Sequence, residues 1–177
     1  RLNTALYLDS LHEKWLYNGV LRKEVVAYKN IEIDESKVRV NGLTAKRLVF
    51  CEGWKMGANP WFGHLPIRPN KGELLTIMAD GLNVKDLVQK GIFVLPIGDN
   101  QFKVGATYDR KNHNYAPTDA AKIWLLERLE NIIKVPYTVL DQKAGIRPAS
   151  IDRRPFVGTH PEFNNLFIFN GFGSKGV

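Results

Sequence analysis

Ala144-Gly145-Ile146-Arg147-Pro148-Ala149 is the stretch on which the reading of this 177-residue chain turns. Residues 137–144 carry the apolar alternation of a strand, which puts Arg147 at a strand's end. Pro148 disfavours the helical region for the residue before it, so Arg147 stays extended with its side chain aimed one way. A guanidinium held like this grips a carboxylate through two parallel hydrogen bonds, a geometry an ammonium lacks. The residues alone leave two outcomes open: Arg147 holds a ligand's carboxylate, or it pairs with Asp141 or Asp152.

Downstream, Asp152-Arg153-Arg154-Pro155 reads as a charged, solvated turn. Short strands are expected at residues 156–158 and 165–170. They lead into Gly171-Phe172-Gly173-Ser174-Lys175-Gly176, a literal G-x-G-x-x-G. A dinucleotide fingerprint needs a following helix, a second strand and an acidic residue about 20 positions on. Here the chain ends at Val177. A glycine-rich loop that offers backbone N–H groups to the edge of a cofactor is the better reading.

Upstream, Pro117-Thr118-Asp119 opens a helix to about Ile133, with Thr118 or Asp119 as its cap and an apolar stripe through Leu125 and Leu129. Strands are expected at residues 73–78, 91–97 and 101–108, the last two joined as a hairpin by Gly98-Asp99-Asn100. Residues 52–69, rich in Gly, Pro and Trp, read as a connection between domains. Before it come an amphipathic helix over residues 4–18 stopped by Gly19, and strands at residues 21–28, 31–33 and 38–40. A turn at Asn41-Gly42 and a strand over residues 46–51 complete this front part. The fold class expected is α+β: a mixed or antiparallel substrate-domain sheet flanked by helices, plus an incomplete cofactor-binding α/β domain. The chain lacks an initiator Met and stops inside a glycine-rich turn, so both ends read as cut.

Composition narrows the classes. Apolar residues make up 44% and charged residues 24%, which is globular rather than disordered. No apolar run approaches the roughly 18 residues of a membrane span. The net charge of +7 comes from Lys and Arg scattered among acids, not from a dense basic block. His12, His64, His113 and His160 have no metal-ligand spacing, so no metal is expected. There is no G-x-S-x-G elbow, and Cys51, alone inside an apolar strand, reads as core. One cysteine excludes an internal disulfide and fits a reducing compartment; the cytoplasm is the expected location.

Several landmarks follow one another along nearly the whole chain: Arg1-Leu2-Asn3-Thr4 with its helix, Val25-Val26, Leu48-Val49-Phe50-Cys51-Glu52-Gly53-Trp54, and Leu65-Pro66-Ile67-Arg68-Pro69-Asn70-Lys71-Gly72-Glu73-Leu74-Leu75. Lys103-Val104-Gly105-Ala106-Thr107, the Arg147 stretch, Asp152-Arg153-Arg154-Pro155-Phe156-Val157-Gly158 and the terminal glycine loop continue the order. In this order they resemble the D-amino-acid oxidase and glycine oxidase superfamily of FAD-dependent oxidoreductases.

The resemblance implies residues 1–60 as the back of an FAD-binding domain, 61–145 as a substrate domain capping the flavin, and 146–177 as a return to the FAD domain. It implies Arg147 as the substrate-carboxylate clamp, with no side chain required as a strong base. Val25, Val26, Gly53, Gly171, Phe172, Gly173, Ser174, Lys175 and Gly176 are implied at the cofactor. The pyrophosphate-binding part would precede Arg1, so the piece alone is expected to be inactive and to retain no FAD.

Two departures stand out: Cys51-Glu52-Gly53 where small residues are usual, and Phe172, Ser174 and Lys175 in the closing loop. The loop's Gly-x-Gly-Ser-basic-Gly form resembles FAD domains that act on a carboxymethylaminomethyl group of tRNA. The expected partner is a small amine or amino acid, with tRNA as an alternative and a non-enzymatic binding module as a reading of another class.

Overall fold

The computed structural model describes residues 2–174. Asn3 caps helix α1 (Thr4–Tyr17) by accepting from Leu6 N at 3.2 Å, and Gly19 follows at φ +66°. None of the helix's residues is buried. Residues 21–27, expected as a strand, run without a ladder, and a 3₁₀ turn forms at Tyr28–Asn30. A strand needs a neighbouring edge for its N–H and C=O groups. Residues 21–27 have none among the described residues, and Val25 is 91% exposed.

Strands β1 (Ile31–Ile33), β2 (Val38–Val40) and β3 (Leu43–Ala45) make an antiparallel meander. Its second turn is Asn41-Gly42, both at positive φ, as a two-residue hairpin requires. Strand β4 (Leu48–Phe50) instead pairs in parallel with β11 (Leu166–Asn170), which is antiparallel to β10 (Phe156–Thr159). Ile31, Val38, Phe50, Met56, Phe62, Leu166 and Ile168 form the core shared by meander and mixed sheet. Cys51 lies just past β4 and is exposed, contrary to its core reading, because the strand's alternation buries Phe50 instead.

The largest sheet has the order β6-β7-β8-β5-β9, antiparallel throughout. Its members are β5 (Ile67–Met78), β6 (Val88–Lys90), β7 (Ile92–Gly98), β8 (Gln101–Gly105) and β9 (Thr138–Ser150). Helix α2 (Asp119–Glu130), capped by Thr118 Oγ1 on Ala121 N, covers one face. Leu75 and Ile77, Ile92 and Val94, and Phe102 and Val104 sit at i and i+2, and pack on Leu125, Leu129 and Ile133. Residues 52–69 are not a plain connection: Gly53–Ala58 is a 3₁₀ turn, and β5 has already begun at Ile67.

The alternation of β5 gives its two faces different work. On the α2 face, Lys71 and Glu73 are both buried and paired at 3.4 Å. Lys71 Nζ also donates to Ala116 O at 2.5 Å and Asn114 Oδ1 at 3.1 Å. Glu73 accepts from Thr118 N, Thr118 Oγ1 and Gln142 Nε2 at 2.8–2.9 Å. Lys71 and Asp109 exchange backbone hydrogen bonds at 2.7 and 2.8 Å, so the segment after β8 is held against the sheet. Asn70 and Gly72 point to the other face, where Arg147 lies.

Candidate active-site cleft

Arg147 is not at a strand's end. It sits well inside β9, opposite Asn70. Pro148 is tolerated there because β9 is an edge strand. Among the described residues its outer side carries only the Ala149–Phe172 bridge and the bond from Gly173 N to Pro148 O, neither of which needs a donor at residue 148. The guanidinium crosses the bare Cα of Gly72, filling the space a side chain would take. It stacks against Tyr108 at 5.1 Å from the ring centroid and makes a long hydrogen bond to Thr107 O at 3.5 Å.

Among the described residues Arg147 forms no ion pair. The two carboxylates that could have held it are engaged elsewhere: Asp141 with Lys143 at 3.4 Å, and Asp152 with Arg154 N at 3.0 Å. That last bond, foremost, holds the Asp152 carboxyl below its ordinary range. The half-buried guanidinium therefore keeps donors free for a ligand.

A cleft of about 940 Å³ opens over Arg147. Asn70, Ala149 and Ser150 form part of its floor, Tyr108 and Asp109 one wall, and Gly173 and Ser174 another. Arg68, Arg110, Lys111 and Arg153 give the lining a strongly basic character. Asp109 accepts from Lys111 N, Asn112 Nδ2 and Asn112 N, and these bonds, the Lys111 amide first, hold its pKa low. Two buried atoms of the lining lack a well-formed hydrogen bond: Asn70 Oδ1 and Ser150 Oγ, the latter near the Asp152 carboxylate.

The glycine-rich loop lies against Pro148 and Ala149, the residues that follow Arg147. Gly171 stands at φ +81° against Phe156, and Gly173 N donates to Pro148 O at 3.0 Å. A Cβ on Gly173 would stand 2.6 Å from Ala149 N, so only glycine lets the loop lie this close. Phe172 bridges to Ala149 through the backbone and packs on Phe169 at 4.5 Å. Lys175 and Gly176 lie outside the described residues.

Gly53, at φ +60°, is tied to the same region, since Asn170 Nδ2 donates to Gly53 O at 2.9 Å while Asn170 Oδ1 accepts from Gly171 N at 2.8 Å. Val25 and Val26 do not line the cleft; both are exposed, and Val25 O accepts from Asn41 Nδ2 at 3.2 Å. Glu52, the unusual residue before Gly53, accepts from Tyr28 Oη at 2.6 Å and Asn59 Nδ2 at 2.7 Å, so it braces the turns around it. Burial first, and then Glu52, push the Tyr28 hydroxyl up to about 12.

Arg68, Asn70, Tyr108, Asp109, Arg110 and Lys111 line the cleft without having been singled out as site residues, and Gly72 makes room beneath the Arg147 guanidinium. The alternation through Arg68-Pro69-Asn70-Lys71-Gly72 carries the signal, but Pro69 and Gly72 mask it.

The cleft's residues also fit a flat ring system beside Arg147, since Gly173 brings backbone without a side chain to one wall. Comparisons agree with this. The model of the family of FAD dependent oxidoreductases (DAO) matches residues 1–177. The tRNA 5-methylaminomethyl-2-thiouridine biosynthesis bifunctional protein MnmC of Legionella pneumophila (strain Philadelphia 1) is 32% identical over 84% of this chain and 27% of its own length. Glycine oxidase of Pseudomonas putida is 25% identical over 89% of this chain and 49% of that enzyme. The crystal structure of iminodiacetate oxidase from Chelativorans sp. BNC1 superposes with a TM-score of 0.79 at 22% identity, covering 98% of this chain and 50% of that one. The chain thus spans between about a quarter and a half of these relatives' length. A match over the whole chain, on a fold shared with solved members, places it in the DAO family of FAD dependent oxidoreductases.

Proposed function

We propose that the whole protein oxidises an amine or amino acid bearing a carboxylate, with Arg147 as the carboxylate clamp. One observation carries this reading: a half-buried guanidinium, free of any ion pair among the described residues, on the floor of a cleft walled by the glycine loop. FAD, the family's cofactor, supplies the acceptor for the hydride from the carbon next to nitrogen, and the resulting imine is hydrolysed. The chain's own residues bind and orient. Arg147 fixes the carboxylate, Tyr108 restrains the guanidinium, and residues 171–174 close the wall.

The same proposal places Val25, Val26, Gly53, Gly171, Phe172, Gly173, Ser174, Lys175 and Gly176 at the cofactor. It assigns residues 1–60 and 146–177 to the cofactor part and 61–145 to the substrate part. In support, β4, β10 and β11 of the mixed sheet come from the first two segments. Among the described residues no helix is long and apolar enough to cross a membrane. The location proposed is the cytoplasm.

In the complete enzyme, Arg147→Ala is expected to lower kcat/KM for a carboxylate substrate by roughly 2–4 kcal/mol, mainly through KM. An unchanged kcat/KM would remove Arg147 from the site.

A second reading has its own support: the cleft is rimmed by Arg68, Arg110, Lys111 and Arg153, and the MnmC relative is named for work on tRNA. Under it the carboxylate-bearing amine is carried on tRNA. Affinity for tRNA would then fall steeply with salt, because phosphate contacts release counterions. Full activity on free amino acids, indifferent to tRNA and salt, would sink this reading.

A further inference from the structure

Asn70 stands directly opposite Arg147 in the β5–β9 ladder, on the same face and in the same cleft. It is only 8% exposed, and its Oδ1 has no hydrogen-bond partner among the described residues. A buried acceptor left unmade carries a desolvation penalty, and no contact within the described residues pins the Asn70 carboxamide oxygen in this orientation.

In the rest of the lining, Arg68, Arg110, Lys111, Arg147 and Arg153 are donors only. Asp109, the carboxylate in the cleft wall, already receives three hydrogen bonds from Lys111 and Asn112. A ligand amine entering this cleft meets cations, one carboxylate largely taken up by Lys111 and Asn112, and the neutral acceptors of Tyr108, Ser150, Ser174 and the Asn70 carboxamide, of which Asn70 stands directly opposite the clamp. In an α-amino acid the nitrogen and the carboxylate are one carbon apart. They must therefore be met by neighbouring side chains, and directly opposed residues of an antiparallel pair are such neighbours.

We propose that Asn70 is a specificity-determining residue whose carboxamide oxygen accepts a hydrogen bond from the N–H of the substrate amine held through its carboxylate by Arg147. This rests on the clamp reading above. Oδ1 lies in the buried half of the carboxamide, and a half-turn of the planar group exchanges it with Nδ2 and presents the oxygen to the cleft. Its neutrality also matters. An aspartate here would favour the ammonium, which has no lone pair to drive imine formation, whereas a carboxamide binds the amine without fixing that proton.

The test measures binding, not turnover, in the complete FAD-loaded protein. The probes are 2-aminoisobutyrate, which has N–H groups and no α-hydrogen, and pivalate, in which a methyl group replaces the amine. Dissociation constants come from calorimetry on wild type, Asn70→Leu, Asn70→Ala and Arg147→Ala. The ratio of the two constants is expected to shift about tenfold against 2-aminoisobutyrate in both Asn70 variants, with pivalate affinity kept within about twofold. Arg147→Ala is expected to weaken both probes together. Asn70 variants that leave the ratio unchanged would overturn the inference while the clamp stands. An Arg147→Ala protein that binds pivalate as wild type does, or a wild type that binds neither probe, would overturn the clamp reading and this inference with it.

Discussion

A Cβ at Gly72 would clash with the terminal atoms of the Arg147 guanidinium, whereas one at Gly173 would meet the backbone of Pro148 and Ala149. The two clashes differ in consequence. A guanidinium at the end of a flexible side chain moves aside cheaply, but backbone does not. Gly72→Ala is therefore expected to raise KM for a carboxylate substrate tenfold or more on the order of the clamp's own loss, with the melting temperature nearly unchanged. Gly173→Ala is expected to lower the melting temperature as well, by displacing the loop at residues 171–174. Tyr28 offers a pH signature. Partial burial, and then the bond to Glu52, push its hydroxyl up to about 12 from the ordinary 10. A raised folded pKa stabilises the fold fully below 10, and that stabilisation is lost as the pH climbs through 12. Between these values the melting temperature of the wild type should fall more steeply than that of Tyr28→Phe. Parallel curves would exclude the Tyr28–Glu52 contact as the cause.

At the scale of elements, the Lys71–Glu73 pair holds the segment after β8 and the start of α2 to the sheet. Glu73→Ala leaves a buried ammonium without its counter-charge and is expected to cost roughly 3–5 kcal/mol, read as a lowered urea midpoint. Elements that announce their own ends were legible in the sequence. Gly98-Asp99-Asn100 marked the β7–β8 hairpin, Thr118 marked α2, and Asn41-Gly42 marked the β2–β3 turn. The long β5–β9 pair was read short, because Pro69 and Pro148 look like breakers. They face each other in the ladder. Pro148 lies on the edge strand, and β8 pairs with β5 only from Leu74 onward, so neither proline removes a needed donor. Reading β9 as ending at Ala144 put Arg147 at a strand's tip. Its true opposition to Asn70 depends on register across some 77 residues of chain, roughly the kind of long-range pairing that local pattern does not encode. Strands β3 and β6 are no shorter than β1 and β2 but lack the β-branched pair at i and i+2 that marks Ile31–Ile33 and Val38–Val40.

In the molecule as a whole, the apolar interior gathers in two clusters, one under α2 and one between meander and mixed sheet. Helix α1 belongs to neither, and Leu6, Leu8, Trp15 and Leu16 remain exposed. Its amides are held by local hydrogen bonds alone. In the 177-residue chain they are expected to exchange with solvent deuterium orders of magnitude faster than those of β5, as hydrogen exchange by mass spectrometry would measure. Equal protection would mean that α1 is packed in solution. The helix itself was legible from its stop at Gly19, but residues 21–27 were not: a strand's sequence pattern says nothing about whether an edge is there to receive it.

The alternation along β5 separates two kinds of inheritance. Lys71 and Glu73 are bound to the scaffold, so a lineage that alters them risks the protein itself. Arg68 and Asn70, interleaved with them, face what enters the cleft, while Gly72 leaves room for Arg147. Substrate preference is thus open to drift or to a combinatorial library at every second letter of one strand, while the letters between keep the chain folded. That layout would let a single architecture serve amines as different as a free amino acid and a modified nucleoside.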